Sequence, residues 1–254
     1  ATFSAGADCV LLENHGVVIG GRDLREAFQR FETLEFAAQT LIRAAQLGPL
    51  QVLPPAALAV DTAPKFSDLP STEPSNNERD LRGQICRFVH RAYQQRLLIS
   101  TAGAFSARTA PDEFVITPRR RDRLEVQPAG LVRVHGNACT AGRQPSRAAK
   151  LHAEIYARHP EIGAIINAQP AHASAFCMTA ATLSTRTIPE SYVVLNDAPR
   201  LPFLRIVEDA AWLRRQLDDL TRARENGRPE PWAVSDAPED YLAAQMQAIV
   251  GIEI

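Results

Sequence analysis

Apolar and polar positions change their spacing several times along this chain, and each change marks an element. Apolar runs at 8–12 and 16–20 flank Asn14-His15-Gly16, a pattern that predicts strand, tight turn, strand. The turn sets one imidazole, His15, at a strand end, where a rigid sheet can aim it as a metal ligand or as an acid or base. Gly21-Arg22-Asp23 then opens a long helix. Asp23 and Glu26 have capping-box spacing. Leu24, Ala27, Phe28, Phe31, Leu34, Ala38, Leu41, Ile42 and Ala45 recur at helical spacing as one apolar face. Gly48-Pro49 ends the helix. Residues 49–76 carry six prolines and no sustained period, so they read as a linker with a short helical turn near Ala56–Ala59.

A second block begins at Asn77. Leu81, Ile85, Phe88, Val89, Ala92 and Tyr93 mark an amphipathic helix, and Thr101-Ala102-Gly103 a turn. Strands are predicted at Phe114–Ile116, Leu131–Val134, Ile162–Ile166 (buried) and Tyr192–Leu195. Helices are predicted around His152–Tyr156, where His152 sits among core-type neighbours, and over Ala171–Thr179. Strands and helices mixed through one block argue for an α/β layer fold. The last block is different: a charged amphipathic helix over Glu208–Glu225, a polar turn, a helix around Asp240–Ala248 and an apolar strand, Ile249–Ile254.

Composition narrows the classes. The chain has 254 residues, 45% of them apolar, and a formal net charge of -1, enough for a real core and without the basic excess of a nucleic-acid binder. Four cysteines without CxxC spacing read as core residues of a reducing, cytoplasmic compartment. No apolar run approaches the roughly 18 residues of a membrane span. The expected partners are a small-molecule substrate or a protein, and further copies of the chain, with no nucleic acid and no membrane. The first residue is Ala, inside what reads as a domain, so the start looks like a cut.

These residues in this order carry a resemblance. With its long helix, the His15 hairpin resembles the C-terminal part of a class II aldolase/adducin domain. The turn Ser100–Arg108, the strand Phe114–Pro118, the run Leu151–Tyr156 and the strand Gly163–Asn167 followed by Ala168-Gln169-Pro170 resemble the N-terminal part of a second such domain. The resemblance divides the chain into 1–48, a Pro-rich linker at 49–76, 77–204, and a tail at 205–254, an order that suggests a fragment of a tandem protein. It implies a three-layer α/β/α sandwich, incomplete or rearranged, in which 9–48 packs on 78–203 and buries the Phe28/Phe31/Leu34 face. The activity it implies is metal-dependent aldol cleavage or decarboxylation of a small sugar phosphate or hydroxy acid.

That chemistry needs a divalent metal, zinc in the family, to polarise a carbonyl. It also needs a carboxylate to move a proton and a small-residue turn to grip an anion. The resemblance makes His15 the third metal ligand. It puts the other two ligands at Asn167 and Gln169, where neutral amides replace imidazoles, and the acid/base carboxylate at Ala148. Anion or substrate contacts are implied at Thr101, Gly103, Ser106, Thr117 and Ser146. Within those turns Ala104 replaces an Asn, and Arg119-Arg120 replaces Ser-Gly. Two readings stand for Arg119, Arg120 and Arg121: a solvated turn, or a receiver of an anionic ligand. With these substitutions the chain is expected to be inactive, and a non-catalytic adducin-like binding module is the alternative.

Residues 208–254 resemble the C-terminal part of the PaiB-type FMN-binding regulators, through Trp212–Thr221, Pro231-Trp232, Asp236–Pro238 and the last apolar run. The flavin contacts cannot be rebuilt from this segment, so FMN is not an expected cofactor; a flavin-binding contribution from the tail is the second alternative function.

Overall fold

The computed structural model describes residues 8–53, 65–196 and 198. The expected helical turn near Ala56–Ala59 and the tail elements lie outside them. β1 (Cys9–Leu12) and β2 (Gly16–Ile19) pair antiparallel around the predicted turn, with Asn14 at φ 56°. α1 (Leu24–Leu47) follows. β3 (Ser67–Leu69) and α2 (Asn76–Gln94) lead into β4 (Ala104–Ala110), β5 (Glu113–Ile116), β6 (Val132–His135) and β7 (Ala138–Thr140). α3 (Ala149–Arg158), β8 (Ala164–Asn167), α4 (Ala171–Cys177) and α5 (Pro189–Leu195) complete the order.

Six strands form one sheet in the order β3-β7-β6-β5-β4-β8, antiparallel throughout except for the β3–β7 pair. Alternation along the strands makes two cores. On one face Phe105, Ala107 and Val115 pack with Ile85, Cys86, Val89 and Ala92 of α2. On the other, Ala104, Phe114, Ile116, Val132 and Val134 pack with Ala149 and Tyr156 of α3. A mixed sheet between helices is the α/β class expected.

Several expectations need correction. The β1–β2 hairpin forms its own two-stranded sheet and does not extend the larger one. α1 does dock: it packs on α4, Glu32 accepts from the Tyr93 hydroxyl at 2.5 Å, and Arg25 forks onto Glu125 at 2.9 and 3.2 Å. Its buried side carries Thr40 and Ala44, however, while Phe28 and Phe31 stay 52% and 46% exposed. Tyr192–Leu195 is helix, not strand, because Pro189 at its first turn fixes φ for a helical start. β8 is an edge strand with Ile166 62% exposed, where a buried strand was expected. Part of the stretch read as linker, Ser67–Leu69, is a strand beside β7.

Candidate functional site

The residues of interest gather where β4, β5 and β8 end near the N-terminus of α3. Gly103 opens β4 at φ 79°, a conformation that favours glycine. A Cβ there would meet the Leu98 side chain at 2.4 Å and the Asn167 carbonyl at 3.0 Å, so the two strand ends approach because this residue has no side chain. Thr117 at the end of β5 is fully buried. Its hydroxyl accepts from the Phe105 N–H at 3.2 Å, and its carbonyl accepts from the Ser146 N–H at 3.0 Å. The Ser146 hydroxyl in turn accepts from the Ala148 N–H at 3.3 Å. Gly103, Thr117 and Ser146 are therefore joined by short links.

Thr101 and Ser106 have other partners. The Thr101 hydroxyl accepts from Gln29 of α1 at 3.0 Å. Ser106 is buried, its hydroxyl 2.8 Å from His152 Nδ1 and 2.8 Å from the Tyr156 hydroxyl. His152 is 0% exposed; its Nε2 has no partner, and burial pushes its pKa down to about 4. Burial likewise raises the Tyr156 phenol, against a smaller opposing pull from the Ser106 bond and the Arg108 guanidinium stacked 4.6 Å over its ring. This cluster holds α3 to β4; its serine is committed inside the core.

Ala148 caps α3 with a methyl group and no side-chain hydrogen bond, so the position expected to hold a carboxylate has none. The Asn167 amide oxygen accepts from Gln169 Nε2 at 3.2 Å, while the buried Gln169 Oε1 has no partner. His15 sits exposed on the separate hairpin. Among the described residues no group of three or more His, Cys, Asp or Glu side chains comes together. Two neutral amides bonded to each other are a poor donor set for a divalent transition metal. The residues present do not fit the metal that the family resemblance implies.

One functional-looking residue escaped the sequence reading. Arg123 is 2% exposed, and its guanidinium donates to the carbonyls of Ala102, Gly103, Pro118 and Arg121 at 3.0, 2.6, 3.1 and 3.0 Å. Burial lowers its pKa to about 10, still well above neutrality. It fastens the Thr101–Gly103 turn to the Pro118–Arg121 turn. The only signal in the sequence was its place in an arginine-rich run, which does not say which arginine turns inward.

The chain is similar to several known proteins. The family model for the Class II Aldolase and Adducin N-terminal domain matches residues 1–42 and 83–218, and an FMN-binding domain model matches 202–254. A 3-oxo-tetronate 4-phosphate decarboxylase of Cupriavidus necator is 27% identical over 135 residues, 51% of this chain and 62% of the relative. A methylthioribulose-1-phosphate dehydratase of Acidiphilium cryptum is 32% identical over 102 residues, 39% of this chain and 47% of the relative. The solved L-fuculose-1-phosphate aldolase of Thermus thermophilus is 28% identical, with a TM-score of 0.35 over 38% of this chain and 48% of that one. The chain spans less than two thirds of the length of each of these relatives.

Proposed function

Since the chain belongs to the class II aldolase and adducin N-terminal domain family, we propose that it keeps the family scaffold as a binding module without the metal-dependent lyase chemistry. One observation carries the reading: Ala148 caps α3 with a methyl group and the Asn167 and Gln169 amides bond to each other, so the residues to which the family resemblance assigns the proton-transferring carboxylate and two metal ligands are unsuited to that work. Without a positioned carboxylate, general acid–base catalysis loses about 10²–10⁴-fold. What survives is the turn system around Gly103, Thr117 and Ser146, to which this reading assigns the binding of a small anionic ligand. The family's reactions give that ligand its class, a sugar phosphate or a hydroxy acid.

The test is a turnover assay of the full chain, with zinc or manganese added, on L-fuculose 1-phosphate, 3-oxo-tetronate 4-phosphate and methylthioribulose 1-phosphate, the compounds named for its relatives. The expected result is no cleavage, decarboxylation or dehydration above background. Saturable turnover that Asn167→Ala abolishes would overturn the reading.

A second reading rests on the match of residues 202–254 to the FMN-binding domain model. Under it the chain binds flavin through its tail. Titration of FMN with the full chain, followed by flavin fluorescence, decides it: saturable quenching favours this reading, and an unchanged signal removes it.

A further inference from the structure

The apolar face of α1 stays in water, and its spacing is that of a helix-pairing seam. Leu24, Phe28, Phe31, Glu35, Ala38 and Ile42 follow one another in alternating steps of four and three residues. With that 3.5-residue period, the side chains of one helix enter the holes between those of another. The seam lies on the side of α1 turned away from the rest of the chain. Thr40 and Ala44 are buried on the opposite side, where Gln29 bonds to Thr101 and Glu32 to Tyr93. Leu24 is 89% exposed and Ile42 64%, and the half-exposed Phe28 and Phe31 rings meet edge to face at 6.2 Å. With 24 residues the helix is roughly 36 Å long. An apolar stripe of that length is more than a monomer ordinarily leaves in water.

Shape and charge choose what covers it. The seam is bulky in its N-terminal half, with Leu24, Phe28 and Phe31, and narrows at Ala38 in its C-terminal half. A parallel copy would stack the phenylalanines on themselves, leave Ala38 facing Ala38, and bring two Glu35 carboxylates into one layer. An antiparallel copy sets Phe28 of one chain against Ala38 of the other, Leu24 against Ile42, and Phe31 against Glu35. Large side chains then meet small ones, as close packing requires. The charge in the seam is a carboxylate, Glu35, which already accepts from Gln39 Nε2 at 2.7 Å. α1 has no lysine, and its arginines are engaged: Arg25 with Glu125, Arg30 with Asp8, and Arg43 with Gln39. Such a face offers little to an anionic membrane surface or an acidic peptide.

We propose that α1 is a homodimer interface: its seam takes the α1 seam of a second copy of this chain, antiparallel, about a two-fold axis that passes between Phe31 and Glu35. This pairing is independent of catalysis, so turnover in the assay above would leave it standing.

Sedimentation equilibrium of the full chain over the micromolar range measures it, with circular dichroism to show that each variant is folded. The parent is expected to dimerise. Phe28→Glu and Ile42→Lys, both at exposed positions, should each weaken the dimer about tenfold or more with the helical signal kept. Ala38→Phe should weaken it too, because the new ring meets Phe28 of the other copy. Combined with Phe28→Ala it should recover, since bulk and gap have traded places. Glu35→Leu should tighten the dimer, because a polar residue in a seam costs affinity. A monomeric parent would overturn the proposal and leave the seam to an unrelated protein. So would a dimer that Phe28→Glu and Ile42→Lys leave intact, or one that Ala38→Phe tightens, as parallel pairing requires. If Ala38→Phe fails to fold, Phe28→Glu and Ile42→Lys still decide.

Discussion

At the scale of single residues, Arg123 does the most to hold the strand-end region together. A buried guanidinium costs desolvation, which its four carbonyl partners offset. Arg123→Met would keep the volume and leave those four carbonyls facing an apolar chain. The expected loss is about 3 kcal/mol or more, since an unsatisfied buried acceptor costs about 1–3 kcal/mol and charged hydrogen bonds are the stronger kind. Arg123→Lys should lose less, because a lysine keeps the charge and three donors but not the fork. Urea unfolding of the two variants checks this, and a loss below about 1 kcal/mol for Arg123→Met would mean that water reaches the carbonyls. This role could not be read from the sequence. The run Arg119–Arg123 holds four arginines, and the carbonyls that select one of them come partly from 102–103, far along the chain. His152 was legible by contrast, because Leu151, Ile155 and Tyr156 around it are core types at helical spacing.

At the scale of elements, legibility followed how local the signal was. The Asp23 cap of α1 is in place, its side chain accepting from the Glu26 N–H at 2.8 Å; Glu26 reaches back to the Arg22 N–H, one residue beyond the Asp23 N–H of the reciprocal bond expected. Tyr192–Leu195 misled because β-branched residues favour strands, whereas Pro189 and the lack of a pairing partner decide for helix. The face of α1 was misassigned because its apolar stripe is broad, and only the docking partner selects which side is buried. The hairpin bears on the candidate ligands: His15 lies in the turn of the β1–β2 sheet, and Asn167 ends β8 of the six-stranded sheet. A prediction follows for the double change Asn167→His with Gln169→His. Those side chains already meet at 3.2 Å, so two imidazoles there should bind zinc weakly. Adding His15→Ala should leave that affinity unchanged. A tenfold or larger drop in zinc affinity on adding it would mean that the hairpin closes onto the sheet end.

For the whole molecule, stability should depend on pH through the buried junction of α3 and β4. His152 is neutral in the fold, with a pKa pushed to about 4 by burial, against an ordinary value of 6.5. Between those two values the unfolded chain binds a proton that the folded chain does not, so stability rises with pH across that window and is lost as pH falls through it. The shifted carboxyls do not confuse the window. Glu26 is held below the usual carboxylate range by its bonds to Arg22, and Glu161 mainly by a backbone bond, so both act at lower pH. On the alkaline side, burial pushes the Cys86 thiol to about 11. Its neutral form is favoured in the fold, and stability should decline above pH 9, the thiol's ordinary pKa. The profile is therefore a plateau between about pH 6.5 and 9 that falls on both sides. At about 1.4 kcal/mol per pH unit the His152 contribution to the fall from about pH 6.5 to about 5 is at most about 2 kcal/mol. Urea unfolding at a series of pH values measures it. His152→Phe should be less stable at neutral pH, because Ser106 loses a partner, and should show a flatter profile across the same acid window. A slope that survives this substitution would place the titrating group elsewhere in the molecule.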